Sequence, residues 1–252
     1  MADAPPLTPM PPSPSAPSHD ERSRVAPAWH TVLFVVVTLA LTAVQAHQQP
    51  KMPSLNLPSR TPVYAIMIAF ELFLLGYVWV GLRIVGKSLR EIIGGKWNRW
   101  PDFWIDVGIA AGFWCVVVGM LIAVSLVVGK NQEGVEAIKA LLPRTPTEMI
   151  AWVFLSTIAG FCEELVFRGY LQRQFLALTR RPKLAVVCQA LIFGAAHLYQ
   201  GWKGAVTITV YGALFGVLAA WRKSLRPGMM QHAAQDTFSG LIGSFALRHH
   251  YF

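Results

Sequence analysis

Ionisable side chains lie inside apolar stretches of this 252-residue chain, at positions where they could do chemistry. The first group is Glu163-Glu164-x-x-x-Arg168, in which Glu164 and Arg168 are four residues apart and share a helix face. Glu163 is rotated by about 100° from Glu164, so its carboxyl group is free to face another partner. Two neighbouring acids in different surroundings suit acid–base catalysis, in which one exchanges protons and the other holds a fixed charge.

Two later apolar stretches carry histidines at similar spacing. Phe193 and His197 are four residues apart, and so are His232 and Asp236, so each pair shares one face of a helix. A charged group near the middle of a bilayer costs about 2.5 to 3.5 kcal/mol, and therefore needs a partner or a function. We expect the polar faces to meet around a hydrophilic cavity that includes Glu163.

Each motif also has a purely structural explanation. Glu164 and Arg168 could be a satisfied pair that fixes helix packing, and His197 could be a core histidine bonded to a backbone carbonyl. His232 and Asp236 could be a local helix contact. The three motifs together favour a common site, because so many polar groups on separate membrane helices are costly unless they meet.

The composition indicates which elements carry these motifs. Hydrophobic residues make up 54% of the chain and charged residues only 14%, whereas a soluble protein has about 25% charged residues. The net charge of +9 comes from clusters between apolar runs, which is typical of membrane topology signals and not of a nucleic-acid surface. The three cysteines have no CxxC spacing, so neither a disulfide framework nor a thiolate metal site is predicted.

The predicted fold class is all-α, a polytopic transmembrane helical bundle of about seven spans, with six to eight allowed by the pattern. A span requires about 20 apolar residues. The predicted spans are 29–46, 62–82, 103–128, 148–167, 184–200, 204–221 and 229–247. In this register Glu163 and His197 lie about 10 Å apart in depth, so their meeting requires helix tilt or a fifth helix that begins in the cytoplasm.

Most of the 22 lysines and arginines fall on one side of these spans if the N-terminus is cytoplasmic. We therefore predict a multi-pass protein of the bacterial cytoplasmic-membrane type with its N-terminus inside. An apolar core at 31–44 also fits a cleavable signal peptide, but the long Pro-rich lead favours an uncleaved helix. Glu71, in the second span, has no motif around it and is predicted to bond a Trp, a Tyr or a backbone group in the bundle.

The three motifs, in this order, resemble those of the CPBP family of intramembrane endopeptidases, the CAAX-protease and bacteriocin-processing group that includes Rce1-like enzymes. The resemblance covers residues 146–247 and implies peptide-bond hydrolysis within the membrane. By this resemblance Glu163 corresponds to the catalytic glutamate, which activates a water together with His197. His232 and Asp236 correspond to groups proposed to stabilise the oxyanion.

Two details of the implied chemistry stay open. Glu163, His197 and His232 form a set that could hold Zn²⁺ with a free position for water, and the family has been described both as metalloproteases and as glutamate-dependent enzymes; we favour the metal-free mechanism. An ionised Asp236 cannot donate a hydrogen bond to an oxyanion. It is therefore either protonated, or it orients His232. Glu164, Arg168 and Phe193 are predicted to be supporting residues.

The predicted organisation is a disordered Pro-rich cytoplasmic tail (1–28), N-terminal transmembrane helices (29–145) and a catalytic transmembrane core (146–247). The predicted function is hydrolysis of peptide bonds in membrane-associated proteins through a water activated by Glu and His. The expected partners are membrane lipid and a peptide or protein substrate, with no nucleic acid. The alternatives are a non-catalytic membrane scaffold or immunity factor with the same fold, and an ion-coupled transporter that uses the buried acids.

Overall fold

The computed structural model describes residues 24–48 and 58–249, so most of the predicted Pro-rich tail lies outside the described residues. The described part is helical and contains no β-strand, which confirms the predicted all-α class. Its α-helices are α1 (Ala28–Gln48), α2 (Thr61–Ile84), α3 (Leu89–Ile93), α4 (Trp100–Val128), α5 (Gln132–Leu141), α6 (Pro146–Glu163), α7 (Arg173–Thr179), α8 (Pro182–Ala196), α9 (Gly201–Arg222) and α10 (Arg226–Arg248).

Five helical stretches in the described residues are long and apolar enough to cross a membrane, and they make the chain a multi-pass membrane protein. They are 28–45, 61–84, 100–128, 146–179 and 198–222. Of the other two predicted spans, α8 has only 15 residues and α10 carries several polar side chains. These two helices bear the histidine motifs, so the predicted number of seven spans stays a prediction.

The outer surface of the bundle is apolar. Large side chains such as Trp104, Leu126 and Val127 on α4 are exposed. A soluble protein rarely shows so large an apolar surface, whereas lipid tails are as apolar as these side chains. The exposed face is therefore suited to contact with lipid.

The longest continuous helix runs through α6, a π-helical segment and α7. It begins with a capping box, in which Thr145 and Glu148 bond each other's backbone and Pro146 occupies the first turn. The π segment (Glu164–Gln172) has nine residues, and all nine are buried. π-Helical turns are rare and are frequently found at functional sites. This one starts directly after Glu163.

The hydrophobic core is built around the π segment. Its side chains Leu165, Phe167 and Tyr170 pack in one cluster with Leu82 of α2 and Phe215 of α9. The polar residues of the same segment are therefore held in a densely packed part of the molecule, where side chains have little freedom to move.

The start of the described chain is fastened to this core. Gln174 Oε1 accepts hydrogen bonds from the backbone N–H groups of Val25 (3.0 Å) and Ala26 (3.3 Å), and Gln174 Nε2 donates to the Ala26 carbonyl (2.9 Å). Farther along, His30 Nδ1 lies 2.7 Å from the hydroxyl of Tyr170. Val25 and Ala26, which the sequence analysis places at the end of the Pro-rich tail, are thus buried in the hydrophobic core.

Candidate active site

Close packing of α6 on α10 determines where the site lies. A Cβ atom on Gly160 would come within 2.6 Å of the backbone nitrogen of Ala233, so the two backbones are nearly in contact. Elsewhere along the same pair of helices, Trp152 Nε1 donates a hydrogen bond to the backbone carbonyl of Asp236 at 2.9 Å. Small residues allow membrane helices to approach in this way. The approach brings the end of α6, with Glu163, beside His232.

Glu164 is the centre of a buried ionic cluster. Its Oε1 lies 2.9 Å from Nη1 of Arg168 and 3.1 Å from Nδ1 of His232. The Arg168 and Glu164 side chains are 0% and 1% exposed. Because a carboxylate only accepts hydrogen bonds, Nδ1 of His232 donates in this contact. The predicted pairing of Glu164 with Arg168 is thus present. His232 contacts the same carboxyl oxygen of Glu164.

The other nitrogen of His232 faces two further acids. Its Nε2 lies 3.6 Å from Oε2 of Glu163 and 3.7 Å from Oδ2 of Asp236. Oε2 of Glu163 is buried and has no hydrogen-bond partner, whereas the Asp236 side chain is 39% exposed. Glu164 is therefore the acid within hydrogen-bond distance of His232, and the distance to Asp236 is too long for a hydrogen bond.

Arg168 is held in place from several sides. Its Nη2 donates to the backbone carbonyl of Gly212 at 3.3 Å, and its guanidinium carbon lies 4.3 Å from the ring centre of Phe193. Nε2 of Gln189 donates to the same Gly212 carbonyl at 2.9 Å. Sequence reasoning missed Gln189, although it lies four residues before Phe193 and thus on the face that the motif already identified.

His197 directly follows α8 and contacts Phe193, which packs on Arg168 of the cluster. Its Nδ1 lies 2.8 Å from the Phe193 carbonyl oxygen, which can only accept, so Nδ1 donates. The Phe193 ring centre lies 4.7 Å from that of His197 and 6.4 Å from that of His232. A single phenyl ring therefore neighbours both predicted site histidines.

The depth of His197 is explained by the length of the preceding helix. The stretch from α6 to α7 continues to Thr179, sixteen residues beyond Glu163, or about 24 Å along a helix. α8 then starts at Pro182 and runs back along the π segment for 15 residues, or about 22 Å. The predicted gap in depth is thus closed by a helix that starts well beyond the level of Glu163.

Glu71 of α2 also interacts with the acids and the histidine of the site. Its Oε2 is buried without a hydrogen-bond partner, and its carboxyl group interacts electrostatically with Glu163, His232 and Asp236. The sequence analysis predicted that Glu71 bonds a Trp, a Tyr or a backbone group in the bundle, and did not associate it with the site. No local motif marks it, because its neighbours at the site come from other helices.

The predicted zinc set does not assemble as a metal site. Among residues 24–48 and 58–249, no group of three or more His, Cys, Asp or Glu side chains is arranged so that it could hold a metal ion. Glu163, His197 and His232 therefore do not fit zinc in the arrangement described. The contacts that the structure does show place three carboxyl groups, those of Glu163, Glu164 and Asp236, around the imidazole of His232.

Comparison with protein families agrees with the order of these motifs. Residues 145–238 match the family described as type II CAAX prenyl endopeptidase Rce1-like. This segment is similar to Rce1-like endopeptidases. Because the match includes all three motifs, it confirms the resemblance found in the sequence. The family that the segment resembles is one of membrane proteases. Comparisons with curated proteins and with solved structures find no match for the chain.

Proposed function

We propose that the chain is an intramembrane endopeptidase that hydrolyses peptide bonds of membrane-associated proteins, with Glu163 as the general base. The observation that carries this proposal is the free oxygen of Glu163. Oε2 is buried, lacks a hydrogen-bond partner and lies 3.6 Å from Nε2 of His232. A base must be within reach of the proton that it removes and unoccupied by other donors.

In the proposed reaction, a water between Glu163 and His197 loses a proton to the carboxylate while its oxygen attacks the peptide carbonyl. The lone pair at Nε2 of His197 can accept the second hydrogen of that water and so orient it. Charge then develops on the carbonyl oxygen. Preorganised donors aimed at this oxygen are commonly the largest single contribution to catalysis.

His232 is the proposed donor to that oxygen. Nδ1 donates to Glu164, which holds the ring, so Nε2 carries a second proton only in the imidazolium form, and that proton points into the space shared with Glu163 and Asp236. Glu164 and Arg168 are positioning residues in this scheme, because they fix the ring without contacting the reacting atoms. Asp236, which is partly exposed, is assigned to the entrance side of the site.

We propose that the reaction is metal-free, since the described residues offer no arrangement that would hold zinc. The proposed location is a bacterial cytoplasmic-type membrane with the N-terminus inside, which is supported by the distribution of lysine and arginine. A site beside membrane helices suits substrates that are themselves anchored in the bilayer, such as a protein with a lipidated C-terminal tail.

A comparison of the N- and C-termini of cellular proteins tests this function even while the substrate is unidentified. The membrane proteome of cells that produce the parental chain is compared with that of cells that produce Glu163→Gln at equal level. Glu136→Gln, an exposed acid on α5, is the matched control. We expect new protein ends with the parental chain and with Glu136→Gln, and none with Glu163→Gln. Identical ends in all three would contradict proteolysis and favour a scaffold.

A further inference from the structure

The register between α2 and α6 places two acids at similar depth. The backbone N–H of Arg60, just before α2, donates to Oε1 of Glu148 in the first turn of α6 at 2.7 Å. One turn later, the rings of Tyr64 and Trp152 are in edge contact at 5.6 Å. The two helices therefore begin at one level and run in the same direction.

From that common level the positions of the two acids can be counted. Glu71 lies eleven residues after Arg60, or about 17 Å, and Glu163 lies fifteen residues after Glu148, or about 23 Å. The difference is about one helical turn, which two glutamate side chains can bridge. Glu71 of α2 and Glu163 of α6 thus approach the same space from neighbouring helices.

Both acids have a carboxyl oxygen that makes no hydrogen bond. Oε2 of Glu71 and Oε2 of Glu163 are buried and unbonded, although nearly all buried polar atoms in proteins find a partner. The side chains that interact electrostatically with Glu71 come from three other parts of the chain. They are Cys162, Glu163, Tyr199, His232 and Asp236.

Two carboxyl groups in a poorly hydrated space do not both stay ionised, because like charges there repel strongly. Nε2 of His232 lies 3.6 Å from Oε2 of Glu163, which marks Glu163 as the acid beside a possible donor. The proton of the pair then resides on Glu71. Pairs of acids separated in this way supply the base and the acid of one reaction.

We propose that Glu71 is the proton donor to the departing amine, an inference that rests on the proposed endopeptidase function. The water loses a proton to Glu163 and its oxygen bonds to the carbonyl carbon. The carbon–nitrogen bond then breaks as the nitrogen takes the proton of Glu71. Glu163 ends protonated and Glu71 ionised. Transfer of that proton from Glu163 to Glu71 restores the starting state, so no other reactant is needed.

A comparison of two leaving groups tests this role. The full chain in lipid vesicles is given a quenched fluorescent peptide with a prenylated CAAX tail, and the matched thioester in which sulfur replaces the leaving nitrogen. A thiolate can leave without a proton, because thiols ionise at about pH 8.5. For Glu71→Gln we expect kcat on the peptide to fall by about 10²-fold or more, with KM and thioester hydrolysis unchanged.

Each outcome decides the assignment. Equal losses on peptide and thioester would overturn it in favour of a structural role, and a parental rate on the peptide would overturn it in favour of no role. In both cases the proposed endopeptidase function would still hold, provided that Glu163→Gln does not cleave the peptide. Cleavage by Glu163→Gln at the parental rate would instead contradict the proposed function.

Infrared spectra test whether Glu71 is protonated in the protein without substrate. At neutral pH the parental chain in vesicles is expected to show the carbonyl band of a buried protonated carboxyl group, and Glu71→Gln to lack it. Glu136→Gln, which removes an exposed acid, is expected to keep the band. The same band in Glu71→Gln would overturn the assignment even if the chain cleaves neither probe.

Discussion

Nδ1 of His232 lies 3.1 Å from Oε1 of Glu164, the same oxygen that Nη1 of Arg168 contacts at 2.9 Å. One oxygen thus accepts a hydrogen bond from Nδ1 of His232 and forms an ion pair with Arg168, and these two partners lie on different helices. The contact fixes the rotation of the imidazole and directs Nε2 toward Glu163. The acid that follows the proposed base in sequence therefore serves to position the histidine.

Removal of Glu164 should destabilise the fold. Glu164→Ala leaves Arg168 and His232 buried without their shared acceptor, and loss of one partner of a buried ion pair costs about 3–5 kcal/mol. We expect a marked decrease in the thermal unfolding temperature of the purified protein in detergent. An unfolding temperature equal to that of the parental chain would show that the cluster is not structural.

Substitution of the neighbouring acid, Glu163, should abolish cleavage and leave the stability of the fold unchanged. Glu163→Gln keeps the size of the side chain and breaks no hydrogen bond at Oε2, which has no partner. We expect the parental unfolding temperature together with loss of peptide cleavage. The measurement is the same thermal scan, run beside the assay with the prenylated peptide. A large loss of stability would mean that Glu163 belongs to the structural cluster and is not the free base.

The part of the site that could be predicted from sequence is the part that depends on local periodicity. Residues four apart share a helix face wherever the helix is placed, so Glu164 with Arg168 and Phe193 with His197 were recognisable. The apolar pattern also identified the helices themselves. The fold class and the motif pairs therefore follow from the chain alone.

The contacts between helices could not be predicted in the same way. The approach of Glu163 to His232 depends on the near contact of α6 and α10 at Gly160, and no local signal determines which helices pack together. The π segment was missed because it differs from an α-helix only in its hydrogen bonding. Glu71 was not associated with the site because its neighbours there come from helices distant in sequence.

Gly212 should be sensitive to a single added carbon. A Cβ atom there would lie 2.9 Å from Cδ1 of Phe193, the ring between Arg168 and His197. Overpacking of this kind costs about 1–3 kcal/mol. For Gly212→Ala we expect a lower unfolding temperature and slower cleavage, because Phe193 must move.

Gly119 on α4 provides the control for this substitution, because a Cβ atom there has no neighbour within 4 Å. Gly119→Ala should be neutral or slightly stabilising, since alanine favours the helix by up to about 1 kcal/mol. Equal effects of the two substitutions on stability and on cleavage would show that Gly212 has no special role beside Phe193.

Gln174 should hold the start of α1 against the core. Its side chain makes three hydrogen bonds to the backbone of Val25 and Ala26, and a buried group left unbonded costs about 1–3 kcal/mol. We expect Gln174→Leu to lower the unfolding temperature and to speed proteolysis near residue 25. Gln132→Leu, at an exposed glutamine of α5, should change neither, and equal proteolysis of both variants would argue against this attachment.

Chelation distinguishes the two mechanisms that the motifs leave open. A catalytic zinc needs about three protein ligands around one point, and no such group of side chains is present in the described residues. We therefore expect the purified chain to cleave the prenylated peptide at an unchanged rate after exhaustive treatment with o-phenanthroline, and to contain no stoichiometric zinc by elemental analysis. If chelation abolished cleavage and added Zn²⁺ restored it, Glu163 and the histidines would have to move together to bind the metal, and the role of Glu163 as a free base would be wrong.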